Sequence, residues 1–165
     1  MIHPLEDNQL RKIYEWYCNP EYDIFFRHFD PLLGFDEFLS SFKLCMSKGL
    51  SVFDNGKMIG FAMIRSIPKP KICEVSFLLD KNFQEQGFAV KTTIEIAELL
   101  FGDYGFNLMV MIVSADDKRT NEIVQKGKLK LEARQENSCF YGRRYHSENR
   151  YVMDRETFLK EYGGL

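Results

Sequence analysis

A chain of 165 residues is long enough for one domain with a buried core and short for two. Its formal net charge of −2 gives no electrostatic case for nucleic acid or an anionic membrane, and no apolar run reaches the roughly 18 residues that a membrane span needs. The N-terminus, MIHPLEDNQLRK, has neither the basic start nor the apolar stretch of a signal peptide. Cys18, Cys45, Cys73 and Cys139 are far apart with no C-x-x-C pair. That argues for reduced thiols in a cytoplasmic protein and, with His3, His28 and His146 scattered, against a metal site.

In chain order, Leu10, Ile13, Tyr14 and Tyr17 recur at helical spacing and predict an amphipathic helix over 5–17. CNPEYDIFFRHFDPLLG follows, with two prolines and a glycine among aromatics, and reads as a long ordered loop. Phe35, Phe38, Leu39 and Phe42 predict a second helix over 35–47. Two apolar runs then flank Asn55-Gly56, a pair suited to the positive φ angles of a type I′ turn, so a hairpin is expected, ended by Pro68 and Pro70. ICEVSFLL is a third strand, 72–79. Helical spacing returns at Val90, Ile94, Ala97 and Phe101, and FNLMVMIV, 106–113, is apolar enough for a strand buried on both faces. SADD reads as a capping box, with Ser114 as N-cap and Asp117 three residues on. A short helix through Thr120, Ile123 and Val124 stops at Gly127. LKLEARQE alternates as a half-buried strand, 151–154 is a last strand, and RETFLKEY closes the chain as a helical turn. No repeat or linker interrupts 1–165, so we expect one domain. A strand–helix–strand unit appended to a hairpin means an α/β fold, a mixed sheet covered by helices.

One segment carries chemistry. In DKNFQEQGFAVKTTIEIAELLF, residues 80–101, Gln84, Gly87 and Ala89 stand where a strand hands over to a helix. A phosphate at a helix start needs exposed backbone N–H groups and no side chain in the way. Gly87 permits the turn and the approach, Ala89 keeps the first helical turn small, and Gln84 can donate an amide hydrogen bond without adding charge. Small residues also open helices for packing alone, and the three residues by themselves favour that plainer account.

The segment resembles the acetyl-CoA motif Q/R-x-x-G-x-G/A of the GNAT superfamily, and it sits in the family's position between the fourth strand and the third helix. Nearly the whole chain follows the family's element order, nearest the branch that includes ribosomal-protein N-terminal acetyltransferases. In that branch the fourth helix reads roughly N-x-x-S-x-x-(apolar)2-E-K-L-G-F. Here it runs through Asp117, Thr120, Ile123, Val124, Gln125 and Lys126 to Gly127, with Asp in place of Asn and Lys128-Leu129 in place of the G-F pair. Only three residues precede Pro4, which leaves little room for the family's first strand. The resemblance implies a mixed, mostly antiparallel sheet of six to seven strands with four to five helices. It implies a V-shaped opening between the fourth and fifth strands, holding the pantetheine arm of acetyl-CoA beside Phe77, Leu78 and Leu79. The pyrophosphate would rest on the loop Gln84, Glu85, Gln86, Gly87, Phe88 and Ala89. Asp117 occupies the place of a cofactor-contacting Asn, but a carboxylate near phosphates is unfavourable, and capping its own helix suits it better.

Acetyl transfer to an amine also needs a base, because an alkylamine has a pKa of about 10.4. In KICEVSFLL the alternation sets Glu74 and Ser76 on one face and Cys73, Val75 and Phe77 on the other. A carboxyl desolvated among apolar neighbours rises towards neutrality, so Glu74 is the catalytic candidate. The plainer account pairs it with a surface arginine or lysine. Cys73 has no histidine near it in sequence and reads as a core residue. The family often places an acidic tyrosine on the fourth helix. DKRTNEIVQKGK has none, and Tyr141 and Tyr145 before the last strand are unassigned.

The resemblance thus implies an N-acetyltransferase that moves an acetyl group from acetyl-CoA to a primary amine by direct attack. The acceptor stays open among a protein N-terminus, a lysine, a polyamine and an amino sugar, and a homodimer stays open too. The alternative is a non-catalytic module binding a CoA ester or a protein partner, which the altered fourth helix and missing tyrosine favour. Nucleic-acid binding through Arg143, Arg144 and Arg150 is a weak third reading in a net acidic chain. The aromatic loop with Glu21, Asp23 and Asp30 and the basic loop at 137–150 are expected to frame the acceptor mouth, and such a mouth favours a zwitterionic acceptor over a polyamine.

Overall fold

The computed structural model describes residues 1–69, 71–84 and 87–163. The strands are β1 (Ile2–Pro4), β2 (Lys48–Asp54), β3 (Lys57–Ile67), β4 (Ile72–Leu79), β5 (Leu108–Ser114), β6 (Lys130–Tyr141) and β7 (Arg144–Asp154). The helices are α1 (Leu10–Tyr17), α2 (Phe35–Leu44), α3 (Phe88–Phe101), α4 (Lys118–Lys126) and α5 (Arg155–Tyr162). The strands form one sheet in the order β1-β2-β3-β4-β5-β7-β6, antiparallel at every step except β4–β5.

Local sequence explains most of these elements. The β2–β3 turn is made by Asn55 and Gly56, both with positive φ (47° and 77°), as a two-residue I′ turn requires. In α1 the buried face is Leu10, Ile13, Trp16 and Tyr17, and in α2 it is Phe38 and Phe42. These residues form one core with Tyr22 and Phe26 of the α1–α2 connection, Phe61 of β3 and Leu78 of β4. The rings lie in mutual edge and stacked contact; the Tyr17 and Phe38 centroids are 4.5 Å apart. A second core on the opposite face packs Cys73 and Val75 of β4, Met109 and Met111 of β5 and Tyr151 of β7 under α3 and α4. The α1–α2 connection is thereby pinned to the sheet as an ordered wall.

Four expectations change. A first strand does exist: Ile2–Pro4 pairs with Leu50–Val52, short as it is. Ser114 does not cap α4, because it pairs with Glu148 at the end of β5; Asp117 is the N-cap, accepting from the Thr120 N–H at 3.0 Å and from its hydroxyl at 2.6 Å. The segment LKLEARQE is an exposed edge strand rather than a half-buried one, since β6 is outermost and two register shifts break its alternation. The presumed loop at 137–150 is the β6–β7 hairpin, turned at Gly142 and Arg143, both with positive φ.

Candidate active site

Strands β4 and β5 pair only at Ile72↔Leu108, Cys73↔Met109 and Glu74↔Val110. Both run on, β4 to Leu79 and β5 to Ser114, each held only by its outer neighbour. Past Glu74 their facing backbone groups have therefore lost one another. The wedge opens into a cleft of about 740 Å³, walled by Ser76 to Leu79 on one side and Met111 to Ser114 on the other. The α1–α2 connection closes one end of it, and α3 and α4 close the other. This is the V-shaped opening that the family resemblance implies.

At the α3 end, Gly87 is the N-cap, with φ of 75°. A Cβ built there would meet nothing within 4 Å. The glycine is required by the backbone, and the space beside it is open, as an anion seat at a helix start needs. Phe88 and Ala89 begin α3, and Ala89 lines the cleft. Gln84 also lines it, but its amide donates to the Leu79 carbonyl at 2.9 Å and closes the loop onto the strand end. Glu85 and Gln86 lie outside the described residues. Asp117 faces the cleft while capping α4. Asn121 locks α4 in place: its amide donates to the Ser114 and Asp117 carbonyls, and its oxygen accepts from Asn149 and from the Tyr151 hydroxyl.

Glu74 lines the cleft on the expected face, opposite Cys73 and Val75. The desolvation that favoured it as a base is not met. Its side chain is 27% exposed, and its Oε2 accepts from Arg65 across the β3–β4 pair at 2.6 Å. The Arg65 guanidinium thus already occupies an oxygen that a base would offer to the amine. Glu74→Gln is therefore expected to change kcat by less than about threefold, an outcome checked by steady-state kinetics from pH 6 to 9.

The sequence reading missed a buried charge cluster at the mouth. Glu148 of β7 is 4% exposed. Its Oε2 accepts from Arg27 Nη2 and Nε at 2.6 and 2.9 Å and lies 2.8 Å from His28 Nε2; its Oε1 accepts from the Ser138 hydroxyl at 2.9 Å. Burial alone would push the Glu148 carboxyl up. The hydrogen bonds from His28 and Arg27, with the guanidinium charge, outweigh it and hold the group at about 2. Arg27 also donates to the carbonyls of Ile24 and Ile112 at 3.0 and 3.2 Å. Ile112 is on the stretch of β5 that has lost β4, so Arg27 serves one of the carbonyls beside the gap. The signal was present in the sequence as adjacent Arg27-His28 inside an aromatic loop, but their partner lies more than a hundred residues away.

Other candidates fall outside the cleft lining. Arg144 pairs with Asp116 and Arg150 with Glu132, while Arg143 forms the hairpin turn. These arginines are committed along β6–β7 instead of lining the mouth, so the ground for expecting a zwitterionic acceptor is gone. Tyr145 is exposed and Tyr141 stacks on His146. Cys73 is fully buried, donates to the Leu108 carbonyl at 3.4 Å, and is pushed up to about 12 by burial, so it is a core residue.

A family model described as the acetyltransferase (GNAT) domain matches residues 1–130. The chain belongs to the GNAT acetyltransferase family. It is an enzyme that uses acetyl-CoA as acyl donor and an amine as acceptor. Among solved structures it is similar to a spermidine N-acetyltransferase from Vibrio cholerae in complex with CoA and spermine, with a TM-score of 0.86, 17% identity and coverage of 96% of this chain and 97% of that one. It is similar also to a structure of the spermidine/spermine N-acetyltransferase of that organism in complex with manganese ions, with a TM-score of 0.80, 17% identity and coverage of 98% and 96%. At such identity the likeness carries the fold. No curated protein matches the sequence. Among the described residues no helix is long and apolar enough to cross a membrane.

Proposed function

We propose that residues 1–165 act as one acetyltransferase domain that acetylates a small alkylamine. The observation that supports this reading best is the gap between β4 and β5. Two strands that part after Glu74↔Val110 leave backbone donors and acceptors free for the amide groups of a pantetheine arm. In this reading the arm lies along Phe77, Leu78 and Leu79, and the pyrophosphate sits at Gln84, Gly87, Phe88 and Ala89 on the α3 start. The acetyl carbonyl then meets a strand N–H in the gap, where its developing negative charge is stabilised.

The acceptor class follows from the mouth. Its walls are Tyr22, Ile24, Phe25 and Phe29. Its charges are three carboxylates, Glu21, Glu74 and Glu148, and two guanidinium groups, Arg27 and Arg65. Arg27 and Arg65 are already paired with Glu148 and Glu74. An acidic group on the acceptor would find Arg27 and Arg65 already committed, and Glu21 is itself paired with Lys81, so the fit of an amine on an aliphatic body rests on the apolar walls rather than on net charge. A polyamine of the kind bound by the Vibrio cholerae enzyme meets that description.

The test is release of CoA thiol from acetyl-CoA over spermidine, free lysine, a peptide N-terminus and glucosamine, with mass spectrometry of the products. We expect turnover on spermidine or a related alkylamine, with kcat/KM at least about tenfold above that for the peptide or the sugar. CoA binding without turnover on any amine would mark a binding module instead.

A further inference from the structure

Direct transfer needs a group that takes the proton from the attacking nitrogen, and the Arg65 pairing weakens Glu74 as that group. His28 is a cleft-lining side chain with the geometry of a supported base. Its ring belongs to the α1–α2 wall and is 55% exposed, while the carboxylate behind it is buried. Glu148 can only accept, so His28 Nε2 carries the proton in that contact, and the lone pair is left on Nδ1. A base held in one tautomer by a buried carboxylate, itself fixed by further donors, is the arrangement that activates histidine in acyl transfer. Arg27 and Ser138 supply those donors.

The placement along the sheet agrees. Carrying the parallel register on by two residues sets Ile112 opposite Ser76. Arg27 bonds the Ile112 carbonyl, so Arg27, Glu148 and His28 stand where the gap has opened, one residue before the strand segment assigned to the pantetheine arm. Among the described residues, the groups in polar contact with the His28 ring are Glu148 from β7 and Cys139 from β6 at 3.8 Å from Nδ1, and the adjacent Arg27 shares the same Glu148 oxygen. Cys139 is buried, and burial, then the Glu148 charge, pushes its thiol up; the neutral S–H has the Arg27 carbonyl at 3.8 Å as its acceptor, so Nδ1 keeps its lone pair. His28, Cys139 and Glu148 do not make a cation site, because Arg27 already occupies the same Glu148 oxygen and the histidine turns a different nitrogen to each of the other two.

We propose that His28 is the general base of acetyl transfer and that Glu148 positions it. The inference rests on the amine-acetylation reading above. The amine enters as the free base, and its nitrogen attacks the thioester carbonyl carbon as the N–C bond forms. The nitrogen gives one proton to His28 Nδ1, and the imidazolium is steadied by Glu148. The tetrahedral centre collapses, the C–S bond breaks, and the electron pair leaves on the CoA sulfur. Solvent protonates the thiolate, and the imidazolium returns its proton to solvent.

The experiment compares parent, His28→Ala and His28→Gln with the best amine of the panel, across pH 5.5 to 9, alongside acetyl-CoA affinity by calorimetry. Both variants should lose roughly 10²- to 10⁴-fold in kcat/KM for the amine and lose the acid limb of its pH profile, while acetyl-CoA affinity stays within about twofold. Added imidazole should restore part of the rate of His28→Ala. Gln can still donate to Glu148 but cannot take a proton at neutral pH, so it separates position from proton transfer. A His28→Gln protein with the parental rate and acid limb overturns the assignment alone. A parent that acetylates no amine overturns the proposed function and this assignment with it.

Discussion

Glu148→Ala should destabilise the protein by about 3–5 kcal/mol at neutral pH, the cost of breaking a buried ion pair from one side. The Arg27 side chain is 9% exposed, and its guanidinium is anchored to the Ile24 and Ile112 carbonyls, so it cannot easily turn out to water when its counter-charge goes. Truncation also removes the hydrogen bonds that Glu148 accepts from the Ser138 hydroxyl and His28 Nε2. The same pair gives a pH signature. The Glu148 carboxyl has an ordinary value of 4.5 and is held at about 2 in the fold. A depressed folded value means stability that is present above pH 4.5 and lost as pH falls from there towards 2. The shift corresponds to roughly 3 kcal/mol. Urea unfolding at pH 7 and pH 3 should therefore show a gap between parent and Glu148→Ala that is wide at pH 7 and mostly closed at pH 3. A gap under about 1 kcal/mol at pH 7, or one that does not narrow in acid, would mean that the pair is not formed as described.

What the sequence makes legible is what local physics decides. Periodicity finds α1, α2 and α3 because each has one apolar face against a core. Asn55-Gly56 finds the hairpin because few other pairs accept both positive φ angles. ICEVSFLL is bounded correctly because its alternation survives in the sheet, with Cys73 and Val75 buried and Glu74 and Ser76 facing the cleft. The elements read less well are those whose environment is set from far away. β6 alternates in sequence, but it is an outer edge strand, so neither face is covered along most of its length. Ser114 looks like a cap until β7 extends β5 through it.

The site divides along the same line. The gap and the α3 start are local consequences of strand length and of one glycine, and the family motif points at both. The charge chemistry of the mouth depends on cross-chain partners. Glu74 looked desolvated because its neighbours in sequence are apolar, yet Arg65 reaches it from the adjacent strand. Arg27 and His28 looked like surface charge in an aromatic loop, yet the aromatic core holds that loop down onto Glu148.

Gly87 offers the sharpest test of the cofactor end, because two physical effects can be separated there. Its φ of 75° costs an ordinary L-residue about 1–2 kcal/mol, more for a β-branched one, and less for asparagine. A Cβ would touch nothing within 4 Å, so the cost of the first side-chain atom is the backbone strain and not a clash. Gly87→Val should lower the melting temperature and weaken CoA binding, through backbone strain and an added side chain together. Gly87→Asn should keep the left-handed turn and a near-parental melting temperature while still placing atoms in the open space at the α3 start. If the pyrophosphate sits there on bare backbone N–H groups, both variants should raise the calorimetric Kd for CoA by roughly tenfold or more, about 1.4 kcal/mol. Removing the phosphates from the ligand isolates the contact: pantetheine should bind all three proteins alike. If Gly87→Asn binds CoA as tightly as the parent, the glycine serves only the turn, and the phosphates lie elsewhere.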